Sequence, residues 1–181
     1  QPGGVTRIIE SQVRGLERGG MPCMIITGEK PAVLLPGLSG VRVEVFPALN
    51  YLDPRLPDGA LKNIRLELGA FLRSRIRPGD IIHIHNLNLG KNPVLSVVIW
   101  DLLRDGYHIL NHCHDFAENH RFENYAFLRR VVEKLFKLRL GEILYPCSPR
   151  MGYGILNSRD QDILIKSGLP AERIFLLPNP V

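Results

Sequence analysis

The sequence predicts an α/β protein built on a doubly wound, mainly parallel sheet, and three observations predict it. Short β-rich runs alternate with helical patterns at the spacing of right-handed crossovers. One of these units, Ile81 to Asp115, reads strand, apolar helix, strand. Both of its strands begin apolar and end polar: Ile81-Ile82-His83-Ile84-His85-Asn86, then His108-Ile109-Leu110-Asn111-His112-Cys113-His114-Asp115. In an open parallel sheet the carboxyl ends of the strands line the ligand crevice, so the two polar ends should face one site.

Taken in order, Gly3-Gly4 leads into a helix with Val5, Ile8, Ile9, Val13 and Leu16 on one face, and Gly19-Gly20 stops it. Cys23 to Thr27 reads as a short buried strand, and Glu29 to Gly40, rich in Pro and Gly, as a loop. Val41 to Phe46 alternates like a strand exposed on one face near a sheet edge. Leu61, Ile64, Leu68, Phe71 and Leu72 mark a second helix, ended by Arg77-Pro78-Gly79. After the Ile81 strand, Asn92 caps a helix with Pro93 at its first position, apolar nearly all round and closed by Gly106. A polar loop, Asp115 to Asn124, precedes a helix carrying Leu128, Val131, Val132, Leu135 and Leu138. Ile143-Leu144-Tyr145 and Tyr153 to Leu156 read as short strands. Ser158 to Gln161 has the capping-box pattern of a helix ending at Gly168, and Ile174 to Leu177 is a last strand. Gly3-Gly4 should be the turn after a first, central strand, and none precedes it.

The 181 residues, 45% hydrophobic and 23% charged, bound a soluble globular protein with a sizeable core. A net charge of +5 favours anionic partners or serves solubility alone. Cys23, Cys113 and Cys147 lack metal-ligand spacing and read as reduced, packed thiols of a cytoplasmic protein. No apolar run approaches a membrane span, and the start resembles no signal peptide. Gln1 in the first position and the ending Asn179-Pro180-Val181 read as cut ends.

Side chains alternate across a strand, so His83 and His85 share a face, as do His112 and His114. His85 and His114, nearest the strand ends, read as ligand contacts; His83 and His112 read as core histidines hydrogen-bonded below the crevice. Gly3-Gly4 is either a plain turn or an anion seat, where unpaired helix-start N–H groups meet a phosphate. The dinucleotide and P-loop fingerprints are absent. His-x-His can bite a metal ion, but His112-Cys113-His114-Asp115 departs from the metallo-hydrolase pattern at Phe116 and Ala117. The basic residues from Arg129 to Arg139 form a solvated face or a peripheral contact with anionic lipid. Nucleic-acid binding lacks aromatic residues interleaved with these charges.

Gly3-Gly4-Val5, Arg18-Gly19-Gly20, Asp80 to Asn86, His114-Asp115, Asn157-Ser158, Gly168-Leu169-Pro170 and Leu177 to Val181 occur in an order that resembles the amino-terminal half of GT-B fold glycosyltransferases of family 4. The resemblance implies a Rossmann-like acceptor-binding domain over residues 1–177, lacking its first strand, with residues 178–181 beginning an interdomain linker. It implies retaining transfer of a sugar from a nucleotide-sugar donor to a hydroxyl-bearing acceptor, without a metal or other cofactor. It implies that Gly3 and Gly4 approach the donor diphosphate or an acceptor phosphate and that His114, the catalytic candidate, reaches the donor sugar. His85, Asn86, Asp115, Asn157 and Ser158 are the substrate-binding candidates. The partner half, a carboxyl-terminal donor domain, carries the family's paired glutamates, so this chain alone should not turn over. Pro180 stands where the family's linker commonly has glycine. A nucleotide-sugar 2-epimerase shares the same fold, and a non-catalytic module for sugar phosphates or anionic surfaces is the alternative from another class.

Overall fold

The computed structural model of the chain describes residues 4–30, 38 and 40–179. Gly3, most of the Pro/Gly-rich loop, Pro180 and Val181 lie outside the described residues. The chain divides into two compact units, one from the residues up to Asn50 together with Asn179, the other Tyr51–Pro178.

In the first unit, helix α1 (Gly4–Arg18) buries Ile8 and Val13 from the stripe that its periodicity predicts. It stops as expected. Gly20 takes the left-handed conformation (φ 70°), Met21 N–H donates to Leu16 O and Gly20 N–H to Glu17 O, both at 2.9 Å. Strand β1 (Met24–Thr27) pairs in parallel with β2 (Arg42–Val45), Met24 opposite Arg42. β1 is half-buried rather than buried, because each strand of this two-stranded sheet has a neighbour on one side alone.

The second unit holds α2 (Asp58–Arg75), β3 (Ile81–His85), α3 (Pro93–Arg104), β4 (His108–Cys113), α4 (Phe122–Arg129), α5 (Leu140–Leu144), β5 (Met151–Ile155), α6 (Ser158–Lys166) and β6 (Ile174–Leu176). Its four strands are all parallel and lie in sequence order, β3-β4-β5-β6. Right-handed crossovers between strands so ordered put the connecting helices on one face of the sheet. That face carries Ile109, Cys113, Tyr153 and Ile155, all buried. Over it lies a core of Val97, Leu128, Val132, Leu140, Ile143 and Leu144. α3 is the crossover that the sequence predicts: the Asn92 carboxamide oxygen accepts from Leu95 N–H (3.0 Å), Pro93 follows, and eight of its residues are buried.

Three elements depart from the sequence reading. Ile143-Leu144-Tyr145 is not a strand; Leu140, Ile143 and Leu144 fall at the i, i+3, i+4 spacing of a short helix, and all three are buried in α5. The helix expected through Leu138 loses α-geometry after Arg129 and continues as a π-helical segment, Arg130–Leu135. α6 is capped by Asn157, whose side chain accepts from Asp160 N–H, rather than by Ser158.

Candidate functional site

The parallel register brings together what the sequence could only place strand by strand. His85 lies opposite His112, and side chains on paired strands project together, so His83, His85, His112 and His114 share one sheet face. It is the face opposite Ile109 and Cys113. The rings form a stack: centroids are 4.6 Å apart for His83–His85, 5.1 Å for His85–His112, 4.3 Å for His112–His114 and 5.3 Å for His85–His114. Nδ1 of His85 is 3.0 Å from Nε2 of His114. His112 Nε2 lies 3.2 Å from the Leu177 carbonyl; a carbonyl only accepts, so this nitrogen carries the proton.

Space for the stack comes from β5. Gly154 pairs with His112, and a Cβ placed there would lie 3.2 Å from His112 Cδ2 and 2.7 Å from Leu177 Cδ1. Only hydrogen fits beside the imidazole without repacking.

Burial, reinforced by neighbouring imidazoles, disfavours protonation throughout. It holds His83 at about 4, as burial does first and the His112 and His114 charges do next. His85 is pushed down to about 3 by burial and then by its three histidine neighbours. His114 falls to about 4 through burial and His112, with Asp115 opposing. His112 is lowered by burial and partly restored by its bond to Leu177. At neutral pH the stack is uncharged.

Asn86 organises the strand ends. It sits in the left-handed region (φ 60°), which Asn tolerates, and its own N–H donates to His112 O at 2.9 Å. Its side-chain oxygen accepts from both His114 N–H and Asp115 N–H, each at 3.0 Å. The exit of β3 therefore grips the exit of β4. Below it, Asn88 is fully buried: its carboxamide oxygen accepts from Asn111 Nδ2 and from Cys113 Sγ, and its Nδ2 donates to Leu144 O at 3.3 Å.

The predicted candidates thus divide. His85, Asn86, His114 and Asp115 converge at the carboxyl ends of adjacent strands. His112 is buried and bonded to Leu177 O, whereas the Nε2 of His83 is buried with no hydrogen-bond partner among the described residues. Asn157 follows β5 and spends its side chain on capping, bonding Asp160 through both polar atoms, and Ser158 is the first residue of α6. Gly4 is exposed at the first turn of α1, in the other unit.

In the loop Asp115 to Asn124, Asp115 pairs with Arg121 (3.0 Å) and Glu118 accepts from the Tyr145 hydroxyl of the α5 end (3.0 Å). Beside it is a groove of about 290 Å³ lined by Lys91, His120, Arg121, Phe122, Glu123 and Asn124, which sequence reading missed. Lys91 follows β3, and His120 to Asn124 follow β4 and open α4, so the groove is built from the chain that leaves the same two strands. On the basic helix face Arg129 pairs with Glu133, Arg139 with Glu142, and Arg130 with Asp58 and the carbonyls of Pro54 and Leu56. The thiols are free, but Cys147 is exposed rather than packed. Among the described residues no helix is long and apolar enough to cross a membrane.

An all-parallel sheet with its strands in sequence order and helices as the connections defines the Rossmann-like α/β class. Within it, the chain is similar to a mannosylglucosyl-3-phosphoglycerate synthase from Petrotoga mobilis, 31% identical over 141 residues, covering 75% of this chain and 26% of that protein. The chain spans about a quarter of the length of this relative. No family model and no solved structure matches it.

Proposed function

We propose that the chain forms the acceptor-binding, amino-terminal half of a retaining GT-B glycosyltransferase that uses a nucleotide-sugar donor. The observation that carries this reading is the convergence of His85, Asn86, His114 and Asp115 at the ends of two adjacent strands, with Asn86 bonding the backbone of both β4-exit residues. The relative supports it, since its name joins sugars to 3-phosphoglycerate. An acceptor of that kind is a small phosphorylated acid, and Lys91 and Arg121 of the neighbouring groove are suited to it.

His114 is neutral at working pH, so its part is to orient rather than to neutralise. With His85 Nδ1–H donating to His114 Nε2, the proton of His114 resides on Nδ1 and donates to a sugar hydroxyl or a leaving phosphate oxygen. Charge on the departing diphosphate is met elsewhere, by the donor-binding half.

The test is transfer by the full-length enzyme. His114→Ala should preserve folding and lower turnover by about 10²-fold or more, the scale of one lost polar contact to the transition state. Unchanged transfer kinetics would remove His114 from the chemistry. Sugar isomerisation with no acceptor present would replace transfer by epimerisation.

A further inference from the structure

The His83 side of the stack is not used by the sugar-transfer reading, and it has an unanswered polar atom. His83 Nε2 is buried, and no hydrogen bond reaches it among the described residues. A buried, unpartnered ring nitrogen is costly relative to a paired one, so its persistence asks for a partner. The other described contacts of the stack leave that need unmet: His85 bonds His114, and His112 bonds Leu177.

We propose that His83, His85 and His112 form a binding site for one divalent transition-metal ion of the imidazole-preferring class, such as Zn²⁺, on the sheet face beneath the strand ends. One ring nitrogen from each of the three lies within 4.8 Å of the others. Tetrahedral coordination at about 2.1 Å places ligand nitrogens about 3.4 Å apart, so modest ring rotation closes the set. His-x-His on β3 supplies two ligands from one face, and the register supplies the third directly opposite. Three imidazoles with no carboxylate or thiolate between them select zinc, nickel or copper over magnesium or calcium. All three rings are neutral near pH 7, the protonation state that ligation requires.

The existing hydrogen bonds complete the shell. His85 Nδ1 is engaged with His114 Nε2 at 3.0 Å, which turns its Nε2 to the ion. His112 donates Nε2–H to Leu177 O, which holds its ring in place on the sheet face. Such outer bonds fix tautomer and ring orientation in metal sites. The ion here holds the sheet face and, through His85, the angle of His114; no bond of the substrate is made or broken on it.

The experiment uses the whole chain, stripped with chelator and titrated with Zn²⁺ by calorimetry and with Co²⁺ by visible absorption. One ion per chain is expected, with a Co²⁺ spectrum of nitrogen ligation. His83→Gln should weaken Zn²⁺ binding by about a hundredfold or more, beyond what loss of an outer-shell partner gives. His108→Gln, at the exposed start of β4, should leave it unchanged. Because a stack variant can fail to fold, the wild-type chain supplies an independent reading: Zn²⁺ should shift the ring ¹⁵N resonances of His83, His85 and His112 and spare those of His108 and His120. Substoichiometric binding, equal affinity in folded His83→Gln, or binding abolished by alkylating Cys23 and Cys147 would each overturn the proposal.

Discussion

Asn86 offers the sharpest test of how the strand ends are held. Its side-chain oxygen accepts two backbone N–H bonds, from His114 and Asp115, at 3.0 Å each, while its backbone sits at φ 60°. Asn86→Gly removes both acceptances and keeps the conformation free; at about 0.5–1.5 kcal/mol net per bond the loss is about 1–3 kcal/mol. Asn86→Ala removes the same bonds and adds the left-handed penalty of a Cβ, about 1 kcal/mol more. Asn86→Asp keeps an acceptor and should be the mildest of the three. Urea unfolding should rank them wild type, Asp, Gly, Ala, with the midpoint moving and the slope unchanged. Alanine and glycine variants of equal stability would refute the left-handed penalty, and both matching wild type would refute the bridge.

Gly90 has φ 74°, and a methyl there would meet Leu128 Cδ1 at 2.5 Å and Asn124 O at 3.2 Å; Gly90→Ala should destabilise by about 2–4 kcal/mol, from left-handed strain plus overpacking, read by urea unfolding. Asn88→Ala deletes the shared acceptor of Asn111 and Cys113 in a fully buried position and should cost about 2–4 kcal/mol, with near-ultraviolet dichroism reporting the loosened core. The four lowered histidines make the metal-free chain acid-sensitive. The unfolded chain binds protons near pH 6.5 and the folded one near 4 for His83 and His114 and near 3 for His85, so stability falls as pH drops through that window and is regained above it. Histidine side-chain NMR titration checks it; midpoints near 6.5 for all four would contradict the burial.

Much of this was legible because periodicity carries strand and helix identity. The capping of α3 by Asn92, the glycine stop of α1 and the polar strand ends all followed from local chemistry. What the sequence could not carry was the offset between strands. His85 opposite His112 is a matter of register, and only register turns two separate His-x-His pairs into one stack. Gly154 was unreadable for the same reason: its role is to vacate space beside a residue on another strand. α5 misled because Ile143-Leu144-Tyr145 alone has no period; Leu140, three residues earlier, makes it helical. Asn88 gave no signal, since a buried carboxamide looks like a loop residue until its partners from β4 and α5 arrive.

Because a single carboxamide at position 86 clasps the outgoing backbone of the neighbouring strand, the aim of the His114 ring is decoupled from the loop beyond it. Residues past Asp115 are then at liberty to change length and charge while the ring stays put. Variation beyond the strand, with constancy at its tip, is what such a clasp allows.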